Sequence, residues 1–152
     1  MTMLLTLIPL TMYAPDYVGD REERRVLYDT LKRYEIESKI LSTIRFIESR
    51  DNYQAVGGSG EYGAYQWLPS SWAYYSLKFY DKVLDITVPA NQDSLSLRKV
   101  RWLLDKGYTP NQIASFWNSG SKEWMGRTGF NKHGIRYDVP GYVKKFNKIF
   151  NT

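Results

Sequence analysis

The chain has no cysteine and a single histidine, His133. The first absence removes disulfides, thiol nucleophiles and cysteine-ligated zinc together, and one imidazole argues against a multi-histidine metal site or a Ser/His triad. No metal and no cofactor is expected, and acid–base chemistry falls to carboxylates. Long apolar runs are missing too. The most apolar stretch, residues 1–10, is about half of the roughly 20 residues that span a bilayer, so no membrane span is expected. That stretch also lacks the basic n-region and small-x-small cleavage site of a secretion signal. Runs of one charge are absent as well: Arg21, Arg24, Arg25, Lys32 and Arg33 alternate with acids as on a solvated helix face. Nucleic acid is therefore not an expected partner, although a net charge of +5 suits anionic surfaces such as bacterial wall polymers or phospholipid.

What the chain has in surplus is rings. Thirteen Tyr, five Trp and six Phe in 152 residues exceed the needs of a core this size. Surplus rings either crowd the interior or line a groove for flat apolar faces such as sugars. With 43% hydrophobic and 24% charged residues, the composition is that of one globular domain.

The apolar spacing reads as mainly helical. Pro9, Pro15 and Gly19 break residues 1–19 into an extended lead, which would pack on the domain or on a neighbouring protein, and residues 20–152 form the domain. Val26, Leu27, Leu31 and Tyr34 predict a helix over 20–34, and Ile40, Leu41, Ile44 and Ile47 a second over 37–49. Residues 50–67 are glycine-rich and read as loop, with short strand pairing near Tyr62 to Trp67. A helix carrying Trp72, Tyr75 and Phe79 starts at Pro69. Another runs through Leu95, Val100 and Leu104 to Gly107. Thr109-Pro110 is an N-cap followed by proline, a helix start. Residues 119–137 read as a long loop of the functional kind, and a last helix follows Pro140.

Glu48 falls in the last turn of the second helix, beside Ile44 and Ile47. Apolar surroundings disfavour the charged form of a carboxyl and raise its pKa. A carboxylic acid still protonated near pH 7 can protonate the poor leaving oxygen of a glycosidic bond. The plainer reading is a surface glutamate paired with Arg45 or Arg50.

Three blocks tip the balance. Glu48-Ser49-x-x-Asn52-Tyr53 is followed by Gly58-Ser59-Gly60-x-Tyr62-Gly63-Ala64-Tyr65-Gln66-Trp67 and by Ser70-Ser71-Trp72; then come Ala114-Ser115-Phe116-Trp117-Asn118-Ser119-Gly120 and Tyr137-Asp138-Val139-Pro140-Gly141-Tyr142-Val143. In this order they resemble the lysozyme-like lytic transglycosylase superfamily, of the soluble-transglycosylase and resuscitation-promoting-factor type, over about 40–150. The resemblance implies a lysozyme-like fold, helices around a substrate cleft with a small β-hairpin or irregular β region near 57–67. It implies a peptidoglycan-cleaving enzyme, with glycan strands as partner and Glu48 as catalytic acid and then base. Gln66 would hydrogen-bond the sugar, with Asn118 and Tyr142 near the reacting ring. Trp117 stands where the family usually carries Tyr, which removes a hydroxyl near Glu48. Gly57 stands where soluble members often carry Ser.

By the same resemblance the reaction needs one carboxylate, because the muramic acid C6 hydroxyl attacks its own anomeric carbon and leaves a 1,6-anhydro end. An intramolecular nucleophile has a large effective molarity. A second carboxylate facing Glu48 would instead permit hydrolysis by a muramidase route; Glu61 is the candidate, ahead of Asp51 and Asp85, and its plain reading is a solvated turn residue. Tyr62, Tyr65, Trp67, Trp117 and Trp124 are expected as groove walls, and Arg127, Lys132 and Arg136 as a basic rim. The remaining alternative is a non-catalytic wall-binding or structural virion component. The expected setting is extracytoplasmic, in a bacteriophage virion or the periplasm, with the lead docking on virion or secretion-apparatus proteins.

Overall fold

The computed structural model of the chain describes residues 19–132 and 134–152. The lead, apart from Gly19, and His133 lie outside the described residues, as does any docking role of the lead. The chain divides into two compact units after Ile36, and the candidate site lies wholly in the second, from Glu37 onward.

The architecture is mainly helical. Helix α1 spans Arg21–Ser49, α2 Pro69–Tyr80, α3 Pro89–Asp105, α4 Pro110–Ser119 and α5 Val139–Phe150, with a short 3-10 turn at Lys122–Trp124 and two strands, β1 Thr128–Phe130 and β2 Arg136–Asp138. The two helices expected over 20–34 and 37–49 are one. Between Tyr34 and Glu37 there is neither glycine nor proline, so nothing interrupts the i→i−4 ladder. The second stripe sits as expected: Ile40 and Ile44 are buried, with Glu37 and Thr43 beside them. Val26, Leu27 and Tyr34 are exposed.

Proline opens α2, α3 and α4, where its missing N–H costs nothing because the first-turn donors have no intrahelical acceptor. At α4 the Thr109 hydroxyl accepts from Gln112 N–H and the Gln112 side chain accepts from Thr109 N–H, a reciprocal capping box that sets the helix start as the sequence indicated. Helix α3 begins at Pro89, well before its first core residue Leu95, because the polar residues between occupy its first turns.

The strand pairing expected near Tyr62 to Trp67 is present as isolated bridges, and a ladder lies elsewhere as well. Among the described residues the only ladder is β1–β2, antiparallel with Gly129 opposite Tyr137, inside the stretch expected as loop. The Tyr137 side chain lies against Gly129, where any Cβ would come within 2.8 Å of its hydroxyl. Near 57–67 there are only isolated bridges, Val56 with Tyr62 and Tyr62 with Trp67.

The core gathers Ile40, Ile44, Leu95, Val100, Leu103, Ile113, Ala114 and Phe146 with a continuous group of rings. Trp67 lies 5.6 Å from Trp72, 5.8 Å from Tyr75 and 5.2 Å from Trp117, all edge-on, the geometry aromatic quadrupoles prefer. Most of the ring surplus is thus interior. Tyr65 at 1% exposure and Trp67 at 3% cannot be groove walls. Each has a partner on α3 for its polar tip: the Tyr65 hydroxyl donates to the half-exposed carboxylate of Asp93 and the Trp67 indole N–H to buried Ser96. Trp124 is not a wall of the Glu48 cavity either; its ring lies 5.7 Å from Tyr137, with the Arg127 guanidinium 5.1 Å from it. Arg127, Lys132 and Arg136 are exposed in the hairpin region. No helix among the described residues is long and apolar enough to cross a membrane.

Candidate active site

Glu48 is placed by the way α1 ends. Arg50 and Asp51 both take left-handed conformations (φ 54° and 65°), and their N–H groups donate back to the Phe46 and Arg45 carbonyls. Glycine usually takes such positions, so the two non-glycine residues carry backbone strain at the helix end. Side-chain bonds hold it. The Arg45 guanidinium donates to Asp51 at 2.7 Å and to the Tyr53 hydroxyl at 2.9 Å. Ser49, the neighbour of the acid, is a staple: its hydroxyl donates to the Ala64 carbonyl and accepts from Asn52 N–H. Neither Arg45 nor Arg50 pairs with Glu48, so the plain ion-pair reading does not hold.

The carboxyl of Glu48 meets Tyr142 instead. The Tyr142 hydroxyl, brought across by α5, donates to Glu48 Oε1 at 2.7 Å and leaves Oε2 to carry a proton. Burial pushes the Glu48 pKa up from 4.5 to about 7; the Tyr142 hydrogen bond and the charge of Lys99 oppose that rise, while the charge of Glu61 adds to it. Burial likewise pushes the Tyr142 hydroxyl well above its usual value, so it stays a donor.

An open cavity of about 290 Å³ lies beside the acid, lined by Glu48, Gly57, Glu61, Gln66, Trp117 and Asn118 among others. Gln66 has φ 50° and spends its amide N–H groups on the Ala55 and Gly63 carbonyls, at 3.2 and 2.9 Å, which leaves Oε1 as acceptor. Glu61 is fixed by the Ser59 N–H at 2.9 Å and is half-buried rather than a freely solvated turn residue. Gly57 leaves room here: a Cβ would meet both the Glu61 carboxylate and the Gln66 amide oxygen, and both side chains would have to shift. A serine in its place would displace the second carboxylate. Trp117 turns its indole N–H to the Tyr65 carbonyl at 3.2 Å and presents part of its ring to the cavity.

Of the expected site residues, the structure therefore brings together Glu48, Glu61, Gln66, Trp117 and Asn118 around one space, with Tyr142 touching the acid from behind. Tyr62 is half-buried and ties the loop through its two bridges without lining the cavity. Tyr65 is a core residue. Asp51 is engaged by Arg45, and Asp85 caps its own turn through Thr87.

Three residues escaped the sequence. Gln92, with no exposure, accepts from Ala64 N–H at 2.8 Å and donates to the Tyr53 and Ile86 carbonyls at 3.0 and 2.7 Å. It is the pin of the 50–67 loop. Asp93 accepts from the Tyr53 and Tyr65 hydroxyls at 2.8 and 2.7 Å. Lys99 is buried among rings. The only signal for these was three polar residues in a helix that otherwise buries one face, which any surface helix also shows.

Fold and site together define a mainly helical domain with one proton-retaining acid on the wall of an open polar cavity. No family model matches the chain, and no curated protein or solved structure is significantly similar to it.

Proposed function

We propose that the chain is a lysozyme-like domain that cuts the β-1,4 bond between N-acetylmuramic acid and N-acetylglucosamine in peptidoglycan, by the non-hydrolytic route. The observation that carries the reading is Glu48: a carboxyl that keeps its proton to about pH 7, facing an open cavity and hydrogen-bonded through one oxygen only. Glu48 gives its proton to the glycosidic oxygen, the C–O bond breaks, and the muramic acid C6 oxygen bonds to the anomeric carbon. The C6 hydroxyl proton returns to the Glu48 carboxylate, which restores the acid. Gln66 Oε1 and the Asn118 side chain are the groups that would hold the sugar, with Trp117 as an apolar platform.

A second reading rests on a separate observation, that Glu61 lines the same cavity and its charge acts on Glu48. A carboxylate there could activate water and turn the reaction to hydrolysis. Mass spectrometry of products from purified peptidoglycan separates the two. Anhydro ends support the lytic route and reducing ends the muramidase route. A wall preparation that yields no soluble fragments leaves a non-catalytic, wall-binding component, and the enzyme is rejected.

The Tyr142 contact makes a further prediction. Because its hydrogen bond lowers the Glu48 pKa, Tyr142→Phe raises it, and the alkaline limb of the pH–activity curve, which follows loss of the acid's proton, moves to higher pH by about 1 unit. A limb that stays in place would mean that this hydroxyl does not act on the acid.

A further inference from the structure

Lys99 projects from α3 into the interior with 7% exposure. Among the described residues its ammonium makes no hydrogen bond or ion pair with the protein; four rings surround it instead. Nζ lies 4.2 Å from the Trp117 ring centre, 4.6 Å from Trp67, 4.7 Å from Tyr75 and 5.5 Å from Phe116. Ring faces attract a cation, but they do not replace its hydration. A methionine of similar length would fill the same box without that penalty, so stability alone does not account for a lysine here. Trp117, the nearest ring, also lines the cavity of Glu48.

We propose that Lys99 is the positioning residue of the acid: held beneath the Trp117 ring, its ammonium stabilises the Glu48 carboxylate that forms as the proton leaves. The inference rests on the proposed role of Glu48 and names how that site is tuned. Before transfer the pair is a cation beside a neutral acid; after transfer it is a cation beside an anion, and the buried net charge falls to zero. The charges act mutually. Burial pushes Lys99 down to about 7 while Glu48 pulls it up, and Lys99 in turn draws Glu48 down against its own burial. The other titratable groups around the pair are Tyr142 from α5 and Glu61 from the loop, both acting on Glu48, and Tyr75 from α2, whose ring faces Lys99. Trp117 and Phe116 of α4 do not titrate.

The test reads the free protein. In the full chain labelled at the glutamate side-chain carboxyl carbons, with the Glu48 signal assigned by its loss in Glu48→Gln, Lys99→Met should raise the Glu48 titration midpoint by about 1 unit, and Lys99→Arg should hold it near its original place. Thermal melting checks that each variant is folded. Linkage requires the reciprocal: Glu48→Gln must lower the midpoint followed at the Lys99 Cε by the same amount, a measurement that stands if Lys99→Met does not fold. An unmoved midpoint in either direction, or a shift in Lys99→Arg as large as in Lys99→Met, overturns the proposal. Wall cleavage is not part of this readout. Coupled midpoints in a protein that cuts no wall would sink only the enzyme reading, whereas cleavage without coupling would sink only the role of Lys99.

Discussion

Glu48→Gln reduces release of soluble fragments from peptidoglycan by about 10²- to 10⁴-fold, the range over which a positioned general acid contributes, and leaves sedimentation of the protein with whole walls unchanged. The amide matches the carboxyl in shape and still accepts from Tyr142, so the cavity keeps its outline while the proton is gone. Turbidity loss and fragment yield, measured against wild type, check the first half; co-sedimentation checks the second. Undiminished lysis would remove Glu48 from the chemistry. The same variant carries a stability signature. A carboxyl whose folded pKa is raised, here from 4.5 to about 7, binds more protons folded than unfolded in that window, so the fold loses stability as pH rises through it and carries the whole cost above it. Glu48→Gln lacks that term. Its melting temperature, compared with wild type, should gain between pH 4.5 and 7 and hold the gain above, where the difference is on the order of 3 kcal/mol at most. A constant difference across the window would mean that the acid is not held neutral.

Gln92→Leu should be the most destabilising single change near the site. The side chain has no exposure and satisfies three backbone groups, the Ala64 N–H and the Tyr53 and Ile86 carbonyls. Leucine fills a similar volume and strands all three. An unsatisfied buried backbone group costs about 1–3 kcal/mol, so three of them put the loss on the order of 3–9 kcal/mol before any water enters. For a domain of this length that corresponds to a fall in melting temperature of about 10 °C or more. The effect is also local. Gln92 holds Ala64 and Tyr53, and Ser49 holds Ala64 from the acid's side, so the loop carrying Glu61 and Gln66 loses one of its anchors to α3, the others being Asp93 and Ser96. Proteolysis in the 50–67 loop should speed up at temperatures where the rest of the chain is folded. A melting temperature within about 2 °C of wild type would show that water replaces the amide at little cost.

Glu48 was singled out in the sequence by a helix that ends at Ser49 with Ile44 and Ile47 beside the acid, and the resemblance of the three blocks weighed against the plainer reading of a surface ion pair. Gln66 and Trp117 were singled out through the family resemblance of their blocks. Tyr65 and Trp67 were misread because an aromatic residue carries the same local pattern whether it faces a cavity or the interior. What decided for the interior was the distant Asp93 and Ser96, which take up their polar tips. The hairpin at 128–138 was read as loop because three-residue strands give too short an alternation to stand out from polar sequence. Two helices were expected because the apolar residues fall into two separate stripes, 26–34 and 40–47, and a gap between stripes does not interrupt a backbone ladder.

Helical content and the starts of α2, α4 and the last helix were settled by composition and by residues within a turn or so of each other, since caps, prolines and apolar periodicity act over that range. The company of Glu48 was settled only by the fold. Tyr142 lies far along the chain from it, Lys99 and Gln92 belong to a helix that shows nothing unusual locally, and Glu61 faces the acid only because Gly57 leaves room. Burial and the reach of a charge are properties of space, and no stretch of sequence contains them.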